Sequence, residues 1–77
     1  MAEQGKTIEY LVVYEKTPTG CSAYVPDLPG CIATGPNLPE TKRNMQEAIR
    51  GHLAVMREFG DPIPQPTTTA KPIKIPA

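Results

Sequence analysis

At 77 residues, with eight basic side chains cancelling eight acidic ones, the chain is one domain or less, and a domain this small buries only about 60% of the surface its unfolded chain exposes. The charge balance removes the overall positive field that would draw the chain onto a phosphate backbone or an anionic membrane. The longest strongly apolar run, Tyr10 to Tyr14, is far too short to cross a bilayer, and the start MAEQGK lacks the apolar core of a secretory signal, so a cytoplasmic location is expected.

Thr7 to Tyr14 is rich in β-branched and aromatic residues and runs toward the turn-like Thr17-Pro-Thr-Gly20, which predicts a first strand. Tyr10, Val12 and Tyr14 share one face with Ile8, while Leu11 and Val13 lie on the other. Both faces of this strand therefore carry apolar groups. Cys21 to Val25 predicts a second strand, Pro26-Asp-Leu-Pro-Gly30 a loop, and Cys31 to Thr34 a third strand. Pro26 and Pro29 cannot donate backbone hydrogen bonds and Gly30 can take a positive φ, so this loop ends one strand and redirects the chain. Cys21 and Cys31 are too few for a disulfide framework and are expected to be reduced and packed, with a disulfide as the alternative.

Asn37 stands three residues before Glu40, with Pro39 in the first turn, which marks a helix start. Leu38, Met45, Ala48, Ile49, His52, Leu53, Met56 and Phe59 fall within one arc of a helical wheel, and Gly60 followed by Pro62 stops the helix, placing it over about 38 to 59. Asp61-Pro-Ile-Pro-Gln-Pro66 and a threonine run then form an extended connection. Lys71, Ile73 and Ile75 share one parity, predicting either a short edge strand or a flexible tail over 67–77.

The sum is a single α+β domain with its core over 7–66. Its order is β-β-β-α-β: a three-stranded antiparallel meander, one covering helix, and a short fourth edge strand parallel to strand one through a right-handed crossover. One helix covers one sheet face. Apolar residues on both sides of strand one therefore predict that the other face packs against another chain, and Tyr10, Val12 and Tyr14 are the candidate oligomer face.

Tyr24-Val-Pro-Asp-Leu-Pro-Gly-Cys31, a long amphipathic helix and Gly60-Asp-Pro-Ile-Pro-Gln-Pro66 together resemble the HicB family of type II antitoxins, over Ile8 to Pro66. The resemblance implies a partial RNase H-like fold, while the uncovered sheet face or edge itself predicts a homo-oligomer, a dimer or a tetramer. The resemblance also implies a partner, a small basic HicA-type toxin that cleaves mRNA with a catalytic histidine and is silenced when the antitoxin covers that site. Many members of the family add a DNA-binding domain; none fits before Ala77, so direct DNA binding is not expected. A stand-alone regulatory module without a toxin, and a metal-dependent nuclease remnant of RNase H type, are the alternatives.

The candidate partner-binding residues are Tyr24, Pro26, Asp27, Leu28, Pro29 and Gly30. Asp27 is read as a turn-capping side chain, because a two-metal nuclease needs several converging carboxylates. Leu28 either folds back onto the sheet or serves as a rigid anchor into a partner, since flanking prolines reduce the ordering cost of binding. His52, the single histidine, lies in the apolar arc of the helix with no nucleophile beside it and is read as packing. One histidine and two cysteines match no paired zinc-ligand pattern, so no catalytic residue, metal or cofactor is assigned. Arg43, Arg50 and Arg57 repeat along one helix face, read as solvated and paired with nearby glutamates, with toxin or RNA contact as the alternative.

Overall fold

The computed structural model describes residues 7–77. Three strands, β1 Val13–Thr17, β2 Gly20–Tyr24 and β3 Ile32–Gly35, form an antiparallel sheet in the order β1-β2-β3, followed by the helix α1 Leu38–Glu58. The meander and the single covering helix are as the sequence predicts.

Strand one is shifted. The ladder begins at Val13, opposite Tyr24, and runs to Thr17 opposite Gly20, so residues 7–12 stand outside it. The reason is the length of β2: past Tyr24 the chain turns into the Pro26–Gly30 loop, and nothing remains for the earlier residues to pair with. Alternation alone suits residues 7–12 to a strand, but a strand also needs a neighbour. The fourth strand expected near Lys71 to Ile75 is likewise not part of the sheet among the described residues, where 61–77 carry neither helix nor strand.

The loop between β2 and β3 is two β-turns in succession. Leu28 donates its N–H to the Val25 carbonyl at 3.0 Å, and Cys31 donates to the Leu28 carbonyl at 3.0 Å. Each turn has proline at its second position, where a fixed φ suits it. The second turn also requires a left-handed residue at its third position, and Gly30 supplies it with φ 84. Val25 N–H donates to the Cys31 carbonyl at 3.2 Å and closes the loop. Leu28 is thereby turned inward, where it is 0% exposed.

Asn37 caps α1 by accepting the Glu40 N–H at 2.9 Å on its side-chain oxygen. The Glu40 carboxylate does not reach back to complete a capping box; it pairs with Arg43 at 3.0 Å. At the other end, Asp61 N–H donates to Met56 and Gly60 N–H to Arg57, with Gly60 at φ 72, which is a Schellman ending.

The core is built from Ala23, Val25, Leu28, Cys31, Met45 and Leu53, with Tyr10, Val12, Ala33, Ala48, Ile49, Met56 and Ile63 packed around it. Burying a residue such as Leu28 or Leu53 contributes about 1.5–3 kcal/mol. Thr41 is also fully buried, its hydroxyl donating to the Asn37 carbonyl at 2.8 Å. It sits hard against Gly35, where a Cβ would fall 2.6 Å from the Thr41 oxygen, so a glycine is needed for the helix to approach β3 this closely. Leu38 and Phe59, at the two ends of the helix, stay exposed. Cys21 and Cys31 are free and buried. Among the described residues, no helix is long and apolar enough to cross a membrane.

Candidate protein interface

The helix lies chiefly over β3 and β2, against the side that carries Cys21 and Ala23. Residues opposite each other in an antiparallel ladder point to the same side. Tyr14 pairs with Ala23, so it lies on the helix side, and Tyr10 and Val12 pack against the core itself. This corrects the expected oligomer face: Tyr10, Val12 and Tyr14 do share one side, but it is the side the helix and the core occupy.

The open side carries a different set. Val13 is opposite Tyr24, and Tyr24 is opposite Ile32, so the three form one apolar row across the whole sheet. Tyr24 is 41% exposed and Ile32 67% exposed. The next row on that side, Glu15, Ser22 and Thr34, is polar. An apolar stripe bordered by polar groups is the pattern of a recognition surface.

Of the expected partner-binding residues, Tyr24 is on this open face, while Pro29 and Gly30 are exposed on the loop that leads into Ile32. Pro26 and Asp27 are half-buried. Leu28 cannot serve as a free anchor, because the two turns drive it wholly into the core; of its two readings, folding back onto the sheet is the one that holds.

Asp27 does cap backbone N–H groups, but not those of its own turn. Its carboxylate accepts the N–H groups of Thr67 and Thr68 at 3.0 and 3.1 Å and their hydroxyls at 3.1 and 2.8 Å. These bonds, the Thr68 hydroxyl foremost, hold its pKa below the ordinary aspartate value. Nearby, the Tyr10 hydroxyl donates to the Pro64 carbonyl at 2.6 Å, and Ile63 packs on the core. Burial raises the Tyr10 pKa, the Asp27 charge adds to this, and Arg57 opposes it. The segment from Gly60 to Thr68 is therefore a strap that ties the end of the helix to the Pro26–Gly30 loop. Nothing in the sequence singles out Thr67 and Thr68; a run of three threonines after a proline-rich stretch is the local signal.

The carboxylate convergence required of a two-metal nuclease is not formed by Asp27, whose oxygens are occupied by threonines. Among the described residues, no three His, Cys, Asp or Glu side chains are grouped to hold a metal ion. Burial raises the Cys31 pKa, which keeps it a thiol. His52 is half-buried on the groove between α1 and the loop entering β3, beside Cys31 and Met56. On the outer helix face Arg43 and Arg50 pair with Glu40 and Glu47 at 3.0 and 3.4 Å, all exposed, as for a solvated face.

A family model described as the HicB-like antitoxin of bacterial toxin-antitoxin systems matches residues 10–77. The chain belongs to the HicB-like antitoxin family. It is similar, at 30% identity and a TM-score of 0.67, to a chain of a HicA3 and HicB3 toxin-antitoxin complex, covering 78% of this chain and 70% of that one. It is also 38% identical over 56 residues to an uncharacterized 14.9 kDa protein in the rep-hol intergenic region of Haemophilus phage HP1 (strain HP1c1). That match covers 73% of this chain and 42% of the phage protein, so the chain spans less than half the length of this relative. The Pro26–Gly30 loop supplies Asp27, and the Gly60–Pro66 segment forms most of the strap and leads directly into the Thr67 and Thr68 that hold it.

Proposed function

We propose that this domain is an antitoxin that binds a small basic HicA-type toxin through the open sheet face and silences it by covering its RNA-cleaving site. The observation that carries this reading is the in-register row of Val13, Tyr24 and Ile32 on the side of the sheet that the helix does not cover. Pro29 and Gly30 are exposed on the loop that leads into Ile32, and the Asp27 bonds to Thr67 and Thr68 hold that loop in place before any partner arrives. A surface already ordered loses less entropy on binding. Family membership and the likeness to a chain of a toxin-antitoxin complex support the partner class.

The test is to co-express the protein with the small protein encoded beside it, purify by a tag on one partner, and measure RNA cleavage by the neighbour alone and in the complex. A stable complex with cleavage lost supports the reading. Absence of a complex, or a complex that cleaves as fast as the free neighbour, overturns it.

A further inference from the structure

The segment from Lys71 to Ala77 has the chemistry of a strand but no neighbour. Ile73 is 81% exposed and Ile75 74% exposed, and neither 71–77 nor 7–12 makes a backbone hydrogen bond to another described residue. Its root, in contrast, is fixed: Thr67 and Thr68 are held by Asp27, and 68–70 lie beside Glu9, Tyr10 and Leu11.

The placement of prolines gives the segment one usable edge. In a strand, the N–H and C=O of a residue point to the same side, and successive residues alternate. Pro72 and Pro76 share a parity with Lys74, so that edge has lost two of its donors. Lys71, Ile73 and Ile75 keep theirs, all on the opposite edge. Such a strand can join a sheet margin and then block further addition, which is how natural sheets close an edge without aggregating.

Only one of the two sheet margins is open to receive it. At β3 the side-chain amide of Asn44 donates to the Thr34 carbonyl at 2.8 Å and takes up part of the outer edge. At β1 no described residue does so, and residues 7–12 prolong that margin. Charge favours the same choice: residues 7–17, which include all of β1, hold Glu9 and Glu15 against Lys16, whereas 71–77 hold Lys71 and Lys74 and no acidic residue. β3 has no charged residue.

We infer that two copies of this chain exchange these segments, each placing residues 71–77 as an added strand along the β1 margin of the other. The occupant is a second copy because this chain carries both complementary parts, and a reciprocal exchange closes as a two-fold dimer in which both β1 margins are covered. The inference uses a sheet edge, not the open face, and stands or falls separately from toxin binding.

The full chain is followed by light scattering across a concentration series, beside Ile73→Pro, which removes one donor from the intact edge, and Ile73→Glu/Ile75→Glu, which removes the apolar contact. These positions are exposed, so both variants keep the wild-type circular dichroism spectrum. The wild type is expected to reach twice its 8.4 kDa monomer mass, and both variants to remain monomeric at concentrations where it is dimeric. A wild type that stays monomeric throughout, or a dimer that persists in both variants, overturns the exchange. Protection of the 71–77 amides in a monomer would show instead that the strand folds back on its own chain.

Discussion

The amide of Thr68 donates to the Asp27 carboxylate at 3.1 Å and the Thr68 hydroxyl donates to its other oxygen at 2.8 Å, joining positions 41 residues apart. With the matching pair from Thr67, this clamp fixes the loop that borders the open sheet face. Asp27→Ala is expected to release the strap while leaving the core folded. Amide hydrogen exchange at Thr67 and Thr68 should rise toward the free-chain rate, with α1 still protected; unchanged exchange at both threonines would contradict the clamp.

The same bonds set a pH dependence. The folded pKa of Asp27 lies below the unfolded value of about 3.9. The clamp's contribution is therefore fully present above that value and is lost as pH falls through the lower folded pKa. NMR titration of the Asp27 carboxyl should show a midpoint below the ordinary aspartate range, with the Thr67 and Thr68 amides shifting together with it. A midpoint at the ordinary value would mean that the threonines do not hold the carboxylate in solution.

Leu28→Ala removes a side chain that is fully enclosed, and should cost about 2–5 kcal/mol of stability in urea unfolding. A loss within about 0.5 kcal/mol, as for an ordinary surface substitution, would restore the exposed-anchor reading of this residue.

Gly30→Ala tests the second turn of the loop. A Cβ at Gly30 meets nothing within 4 Å, so the penalty comes from the backbone at φ 84 alone, about 1–2 kcal/mol. Gly30→Asn should cost less, since asparagine visits this conformation more readily. Equal losses in thermal unfolding would point to a clash instead.

Much of this fold is legible in the sequence because its signals are local. Asn37, Pro39 and Gly60 mark the helix ends by backbone chemistry that needs no distant partner, and Pro26, Pro29 and Gly30 specify the loop in the same way. What local pattern leaves open is the side of the sheet. Tyr10, Val12 and Tyr14 do share one face, yet nothing within those residues tells which face the helix will cover, and the exposed apolar row of Val13, Tyr24 and Ile32 lies on the other side. The extent of β1 depends on where β2 stops, and the role of Thr67 and Thr68 on a carboxylate 40 residues earlier. Thr41 escapes an apolar-periodicity search because its burial is satisfied by a hydroxyl bond to Asn37.

The most direct test of the antitoxin account is the solution mass of the protein co-purified with its encoded neighbour, compared for the wild type and Tyr24→Asp/Ile32→Asp. The open face predicts a stable complex for the wild type, with the neighbour's RNA cleavage suppressed, and dissociated components with cleavage restored for the double variant. A double variant that binds and inhibits as the wild type does would contradict the assignment of this face to the toxin.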